Sequence, residues 1–164
     1  MMKKSYFALV LVVLATLLLT ACSNNDGEEA AADPGMTTVE MADKLAKQGE
    51  QPPLVDLTEN EIQNLYHLDP ALLEEFTIRV PLMNVKTNEI AVVKVKDEKD
   101  VQTVMDAIKQ RAADVQKSFE TYLPDQYENA KNYKLVAKGQ YVGFFIADDS
   151  QQPQDTFESF FAKK

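Results

Sequence analysis

The sequence predicts an α+β domain: a four-stranded, mainly antiparallel sheet from two ββα units, packed by a long helix, a C-terminal helix and short N-terminal helices. Three observations carry this. Apolar residues alternate over 76–82 and 133–138 but run almost unbroken over 90–95 and 141–147. Helical spacing persists from Val101 to Tyr122. The order strand, strand, helix occurs twice, over 76–122 and 133–164.

The chain opens Met1-Met2-Lys3-Lys4 and then runs apolar from Tyr6 to Leu19, the layout of an export leader. That run falls short of the roughly 20 residues a membrane span needs. It ends Leu19-Thr20-Ala21-Cys22, which matches the lipobox of lipoprotein leaders. The expectation is cleavage after residue 21 and acylation of Cys22 with palmitate-type chains. Two acyl chains anchor stably where one holds only marginally. The alternative is an ordinary leader or uncleaved anchor with a chance cysteine. Cys22 is the only cysteine, so the folded part has no disulfide, no thiolate metal site and no cysteine nucleophile.

Residues 22–36 are the lipidated cysteine followed by Ser, Asn, Asp, Glu, Ala, Pro and Gly with little to bury, and read as a disordered tether. Such a stretch spans about 20 Å as a random coil. The rest, 37–164, suits one domain. The chain has 17 basic and 26 acidic residues. Lys3 and Lys4 leave with the leader, so the mature chain would carry a net charge of −11. That balance excludes nucleic acid as a partner, since its binding requires clustered Lys and Arg. It equally opposes adsorption to anionic lipid, leaving the anchor on Cys22 as the contact with the membrane.

Thr37-Thr38-Val39-Glu40 is a capping box, opening a short helix with Val39, Ala42, Leu45 and Ala46 on one face and Gly49 as its stop. Pro52-Pro53 makes an extended loop. Thr58 to Glu61 repeats the box before Ile62, Leu65 and Tyr66. Asp69-Pro70 starts a further turn, with Asp as cap and Pro in the first helical position.

Phe76, Ile78, Val80 and Leu82 alternate with Thr77, Arg79 and Pro81. Pro81 cannot donate a ladder bond, which places this strand at an edge. Residues 89–96 are apolar on both faces and read as central. The long helix follows over 97–122, ended by Pro124. Gly139-Gln140 joins 133–138 to 141–147 as a hairpin, and a last helix carries Phe157, Phe160 and Phe161. The simplest strand order is first, second, fourth, third. It puts Ile90, Val92, Phe144 and Ile146 on one face, and Ala91, Val93, Gly143 and Phe145 on the other.

Candidate chemistry is sparse. His67, the only histidine, stands two residues before Asp69, but no serine lies in a G-x-S-x-G elbow. The simpler reading is a helix-end residue. Asp97-Glu98-Lys99-Asp100 and Asp148-Asp149 precede helices and read as caps rather than cation sites, because neither has the calcium-loop spacing. Five tyrosines, Tyr66, Tyr122, Tyr127, Tyr133 and Tyr141, fit core packing with the hydroxyl at the rim. The least ordinary feature is the second sheet face. Its small residues would admit a ligand or another backbone, so Ala91, Val93, Gly143 and Phe145 are a candidate binding groove, part-covered by the N-terminal helices.

Leu65-Tyr66-His67-Leu68-Asp69-Pro70, then Met83-Asn84 before Glu89-Ile90-Ala91, then Tyr122-Leu123-Pro124-Asp125-Gln126-Tyr127 resemble a family of small bacterial lipoproteins, the domain-of-unknown-function family numbered 4358. The resemblance spans about residues 40–161. It implies a lipoprotein on the extracytoplasmic face of a Gram-positive, clostridia-like cell membrane, and supplies no activity, cofactor or catalytic residue. The functional expectation is a membrane-tethered extracytoplasmic binding or interaction module for an unidentified ligand or protein, without cofactor or metal. The alternatives are an extracellular hydrolase and a structural envelope component.

Overall fold

The computed structural model describes residues 33–162. The leader, Cys22 and most of the tether lie outside them. Within them, eight-residue helix α1 (Thr38–Leu45) opens on its capping box: Thr37 N–H donates to Glu40 Oε2 at 2.9 Å, and Glu40 N–H returns to Thr37 Oγ1 at 3.2 Å. Two orphan donors of the first turn are thereby satisfied. The buried face is Thr38, Met41, Ala42 and Leu45. Val39, expected on that face, is 48% exposed. The stripe is rotated one position, because Met41 fills the core instead. The chain reverses at Gly49, whose φ of +66° suits a residue without Cβ.

Strand β1 (Leu54–Asp56) has no counterpart in the sequence expectation. It pairs antiparallel with β2 (Leu73–Pro81), Leu54 opposite Pro81 and Asp56 opposite Arg79. The sheet therefore has five strands rather than four, in the order β1-β2-β3-β5-β4. Here β3 is Glu89–Val95, β4 Lys134–Lys138 and β5 Tyr141–Ile146, and every pairing is antiparallel. The predicted order of the four longer strands holds. The edge placement of β2 does not: Pro81 closes the strand, and the ladder resumes when Leu82 N–H donates to Pro53 O at 2.9 Å.

Between β1 and β2 lies helix α2 (Glu59–Tyr66), where Glu61 Oε2 accepts from Thr58 N–H (2.7 Å) and Oγ1 (2.8 Å). Asp69 then caps a single 3-10 turn, Pro70–Leu72, through Ala71 N–H at 2.9 Å. After β3, Asp97 accepts from Lys99 N–H at 3.2 Å in a second 3-10 turn. Helix α3 (Val101–Phe119) follows, burying Val104, Ile108, Ala112, Val115 and Phe119. Tyr122, the expected end of this stripe, lies beyond the helix and is 61% exposed. Pro124 opens α4 (Pro124–Lys131), and α5 (Gln151–Ser159) closes the domain.

Helices cover both sheet faces. On one, α2, α3 and α4 enclose Ile78, Ala91, Val93, Val95, Val142 and Phe144. On the other, α1 and α5 enclose Ile90, Val92, Tyr141 and Phe145. The register explains this division. Ile90 stands opposite Phe145, and Val92 opposite Gly143, so those four share a face, with Ala91, Phe144, Val93 and Val142 on the other. The sequence expectation joined Ile90 and Val92 to Phe144 and Ile146, off by one. A one-residue slip between strands exchanges whole faces. The N-terminal helices also separate, α1 to one face and α2 to the other, with β1 carrying the chain across at the sheet edge.

Candidate functional site

The candidate site begins with a charge inside the sheet. Glu89 starts β3 and is 2% exposed, on the face covered by α3. Its carboxylate is fully engaged. Tyr66 Oη, from the last residue of α2, donates to Oε2 at 2.6 Å. Arg111, from the middle of α3, donates its Nε–H to Oε2 at 3.2 Å and an Nη2 hydrogen to Oε1. The guanidinium also lies 5.3 Å from the centroid of the Tyr66 ring. Burial, then the Glu89 charge, push the Tyr66 hydroxyl well above its ordinary range, so it remains a proton donor. Burial opposes the Arg111 charge, but Glu89 outweighs it and raises that pKa. Tyr66 is thus unsuited to be a base, and the trio is a fixed hydrogen-bonded ion pair.

Beside this trio opens a cavity of about 310 Å³. Its apolar walls include Val80, Leu82 and Met83 from β2 and the loop after it, and Val115 and Phe119 from α3. Glu89 and Arg111 line it too, with Asn84, Lys86, Thr87 and Ser118. Arg111, Val115, Ser118 and Phe119 share one helix face, as spacings of three and four dictate. Leu82 and Met83 stand 64% and 57% exposed at the rim. Of its five N–H groups Arg111 gives two to Glu89 and leans a third toward the Tyr66 hydroxyl.

The loop forming one wall is pinned from below. Thr87 and Gln126 are both buried. Thr87 N–H donates to Gln126 Oε1 at 3.1 Å, and Thr87 Oγ1 to Gln126 O at 3.2 Å. Gln126 belongs to the Tyr122–Tyr127 stretch, so this stretch sets where the loop and α4 meet. Leu123 caps α4, and Pro124 occupies its first turn.

The groove expected from the sequence is not assembled. Ala91, Val93, Gly143 and Phe145 are all buried, the first pair facing α3 and the second facing α1 and α5. The space above Gly143 is filled: an added Cβ would meet Phe145 Cζ at 2.7 Å and Phe157 Cδ1 at 3.2 Å. His67 is the left-handed C-cap of α2 (φ 56°), and its Nε2 lies 2.8 Å from Asp114 Oδ2 rather than on Asp69. Asp148 accepts from Asn129 at 2.6 Å, and Asp149 from Gln151 N–H at 3.1 Å. Cys22 lies outside the described residues.

Sequence reasoning missed Glu89 and Arg111 as site residues. Both had a signal. Glu89 is a carboxylate at the head of a strand apolar on both faces, and Arg111 sits on the apolar stripe between Ile108 and Val115. Opposite charges on two buried faces are a pairing cue.

No helix among the described residues is long and apolar enough to cross a membrane. No curated protein and no solved structure matches the chain. A family model described as a domain of unknown function, DUF4358, matches residues 47–147, more than half of the chain. The matched stretch holds all five strands, the Tyr66–Glu89–Arg111 trio and every residue of the cavity. The chain belongs to the DUF4358 family.

Proposed function

We propose that this chain is a membrane-tethered extracytoplasmic lipoprotein whose domain is a binding module, with the cavity beside Arg111 as its ligand site. One observation carries the binding reading: a half-open, largely apolar-walled cavity of about 310 Å³ is lined by a half-buried guanidinium held in place by Glu89 and with donors to spare. Convergent polar groups in an apolar concavity are the usual form of a ligand site. The three tied residues keep the guanidinium in place before any ligand arrives, which lowers the cost of binding. Leu19-Thr20-Ala21-Cys22, following an apolar run, supports the tether.

The binding reading is tested by nuclear magnetic resonance of the full chain against a fragment library of neutral, cationic and anionic small molecules. Expected are shift changes concentrated at Leu82, Thr87, Val115 and Phe119 for at least one fragment. Perturbations at none of these would overturn it. For the tether, Cys22→Ala should abolish acyl labelling and leave unprocessed precursor. Labelled, normally sized product from that variant would overturn the anchor.

A further inference from the structure

The polar lining of the cavity is unequal in sign. Arg111 and Lys86 supply two positive charges and Glu89 one negative, so the site is net positive within a chain of net charge −9. The Glu89 oxygens are occupied by Tyr66 and Arg111, which leaves that carboxylate little capacity to attract a cation. Arg111 spends two N–H groups on Glu89 and a further interaction on the Tyr66 hydroxyl, which leaves at least two without a protein acceptor among the described residues. Lys86 is exposed at the mouth. Asp125 lies near enough to Lys86 to feel its charge and keeps its own negative charge, accepting from Gln126 Nε2 at 3.3 Å, but it is not part of the lining. The remaining lining is apolar or neutral: Val80, Leu82, Met83, Val115 and Phe119 beside Asn84, Thr87 and Ser118.

We propose that the cavity binds a carboxylate carried on a short apolar body, the carboxylate accepting from Arg111 and Lys86 and the body lying between Leu82, Met83 and Phe119. This rests on the cavity being the binding site. A planar guanidinium matches a carboxylate in shape, and a charge-assisted hydrogen bond is about twice as strong as a neutral one. The volume lies at the small end of ligand pockets, which begin near 300 Å³. It suits a free short-chain acid or the C-terminal residue of a peptide, which share this chemistry.

The test titrates the full chain by calorimetry with hexanoate, hexanamide, acetate, the dipeptide N-acetyl-Ala-Leu and the amide of that dipeptide. Hexanoate or the dipeptide acid should bind, and the corresponding amide should bind at least about tenfold more weakly. Acetate, lacking the apolar body, should bind about tenfold or more weakly than hexanoate. Tighter binding of hexanoate than of the dipeptide identifies a free acid as the occupant, and the reverse a peptide terminus. Lys86→Met, which removes an exposed side chain, should weaken the acid about two- to fivefold. Glu89→Gln releases Arg111 from its counter-charge and should tighten the acid, even as it lowers stability. A merely structural Glu89 would not produce that gain. Amides binding as well as acids in the cavity would overturn the carboxylate assignment and leave the cavity reading standing. So would neutral or cationic fragments that perturb Leu82 and Phe119 while no acid binds at millimolar concentration. No binding by any probe or fragment overturns both.

Discussion

The Glu89 carboxylate accepts from Tyr66 and from two N–H groups of Arg111, and each member of this trio depends on the others. Removing the cation strands a charge that is 2% exposed. Arg111→Met should therefore cost about 3–5 kcal/mol in chemical denaturation, as for other broken buried pairs. A loss below about 1 kcal/mol would mean that water reaches Glu89 and that the pair is a surface one. His67 tests backbone rather than charge. It sits at φ 56°, where a side chain costs about 1 kcal/mol or more and glycine costs little. Its contact with Asp114 is solvent-exposed and worth less than about 1 kcal/mol. His67→Gly should thus be more stable than His67→Ala by about 1 kcal/mol in thermal melts. His67 also lowers the Asp114 pKa, ahead of Gln110. A carboxyl with a depressed folded-state pKa contributes stability above its unfolded pKa and loses it as pH falls through the folded one. The small contribution of this pair should therefore disappear on acidification, below the ordinary aspartate range.

Among the elements, the long helix was the most legible, because nineteen residues with one apolar stripe leave little choice of face. Ile108 is fully buried at its centre. Ile108→Ala should destabilise the domain by about 2–5 kcal/mol, read by urea denaturation, and a loss under about 0.5 kcal/mol would contradict its burial. Both capping boxes and the Gly139-Gln140 hairpin were equally legible, since their signals lie within four residues. What escaped was non-local. Strand β1 has three residues behind two prolines, too few for an alternation to show. The relative register of β3 and β5 is not fixed by a connecting turn, because helices α3 and α4 and strand β4 intervene, so the sequence left the parity of their faces open. That parity alone separated Ala91 and Val93 from Gly143 and Phe145 and dissolved the expected groove. The cavity escaped for a related reason. Its walls come from residues 80–89 and 111–119, and only folding brings the β2–β3 loop against the last turns of α3.

At the scale of the molecule, the family match and the layering divide the chain in the same place. Residues 47–147 include the sheet and the helices on its cavity side, whereas α1 and α5 fall outside. Those two helices cover Ile90, Val92, Tyr141 and Phe145. The segment 47–147 produced alone should expose that apolar face and self-associate, read by size-exclusion chromatography. A monodisperse, cooperatively melting fragment would show that the second layer is dispensable. The fold class and the order of the longer strands were legible because alternation and its absence report edge and centre. The allocation of helices to faces was not, since α1 and α2 have similar lengths and apolar stripes. The pairing of α1 with α5 has a temporal consequence. They meet across more than a hundred intervening positions, so their contact is rewarded only after a very long loop has closed. That mutual contact therefore comes late, after α1 has docked on β2 and β3 and α5 on the neighbouring β4 and β5. Elements at the chain ends are also among the first to open in the native state. Transient release of this layer would bare Phe145 and Ile90 while the Glu89 trio stays closed.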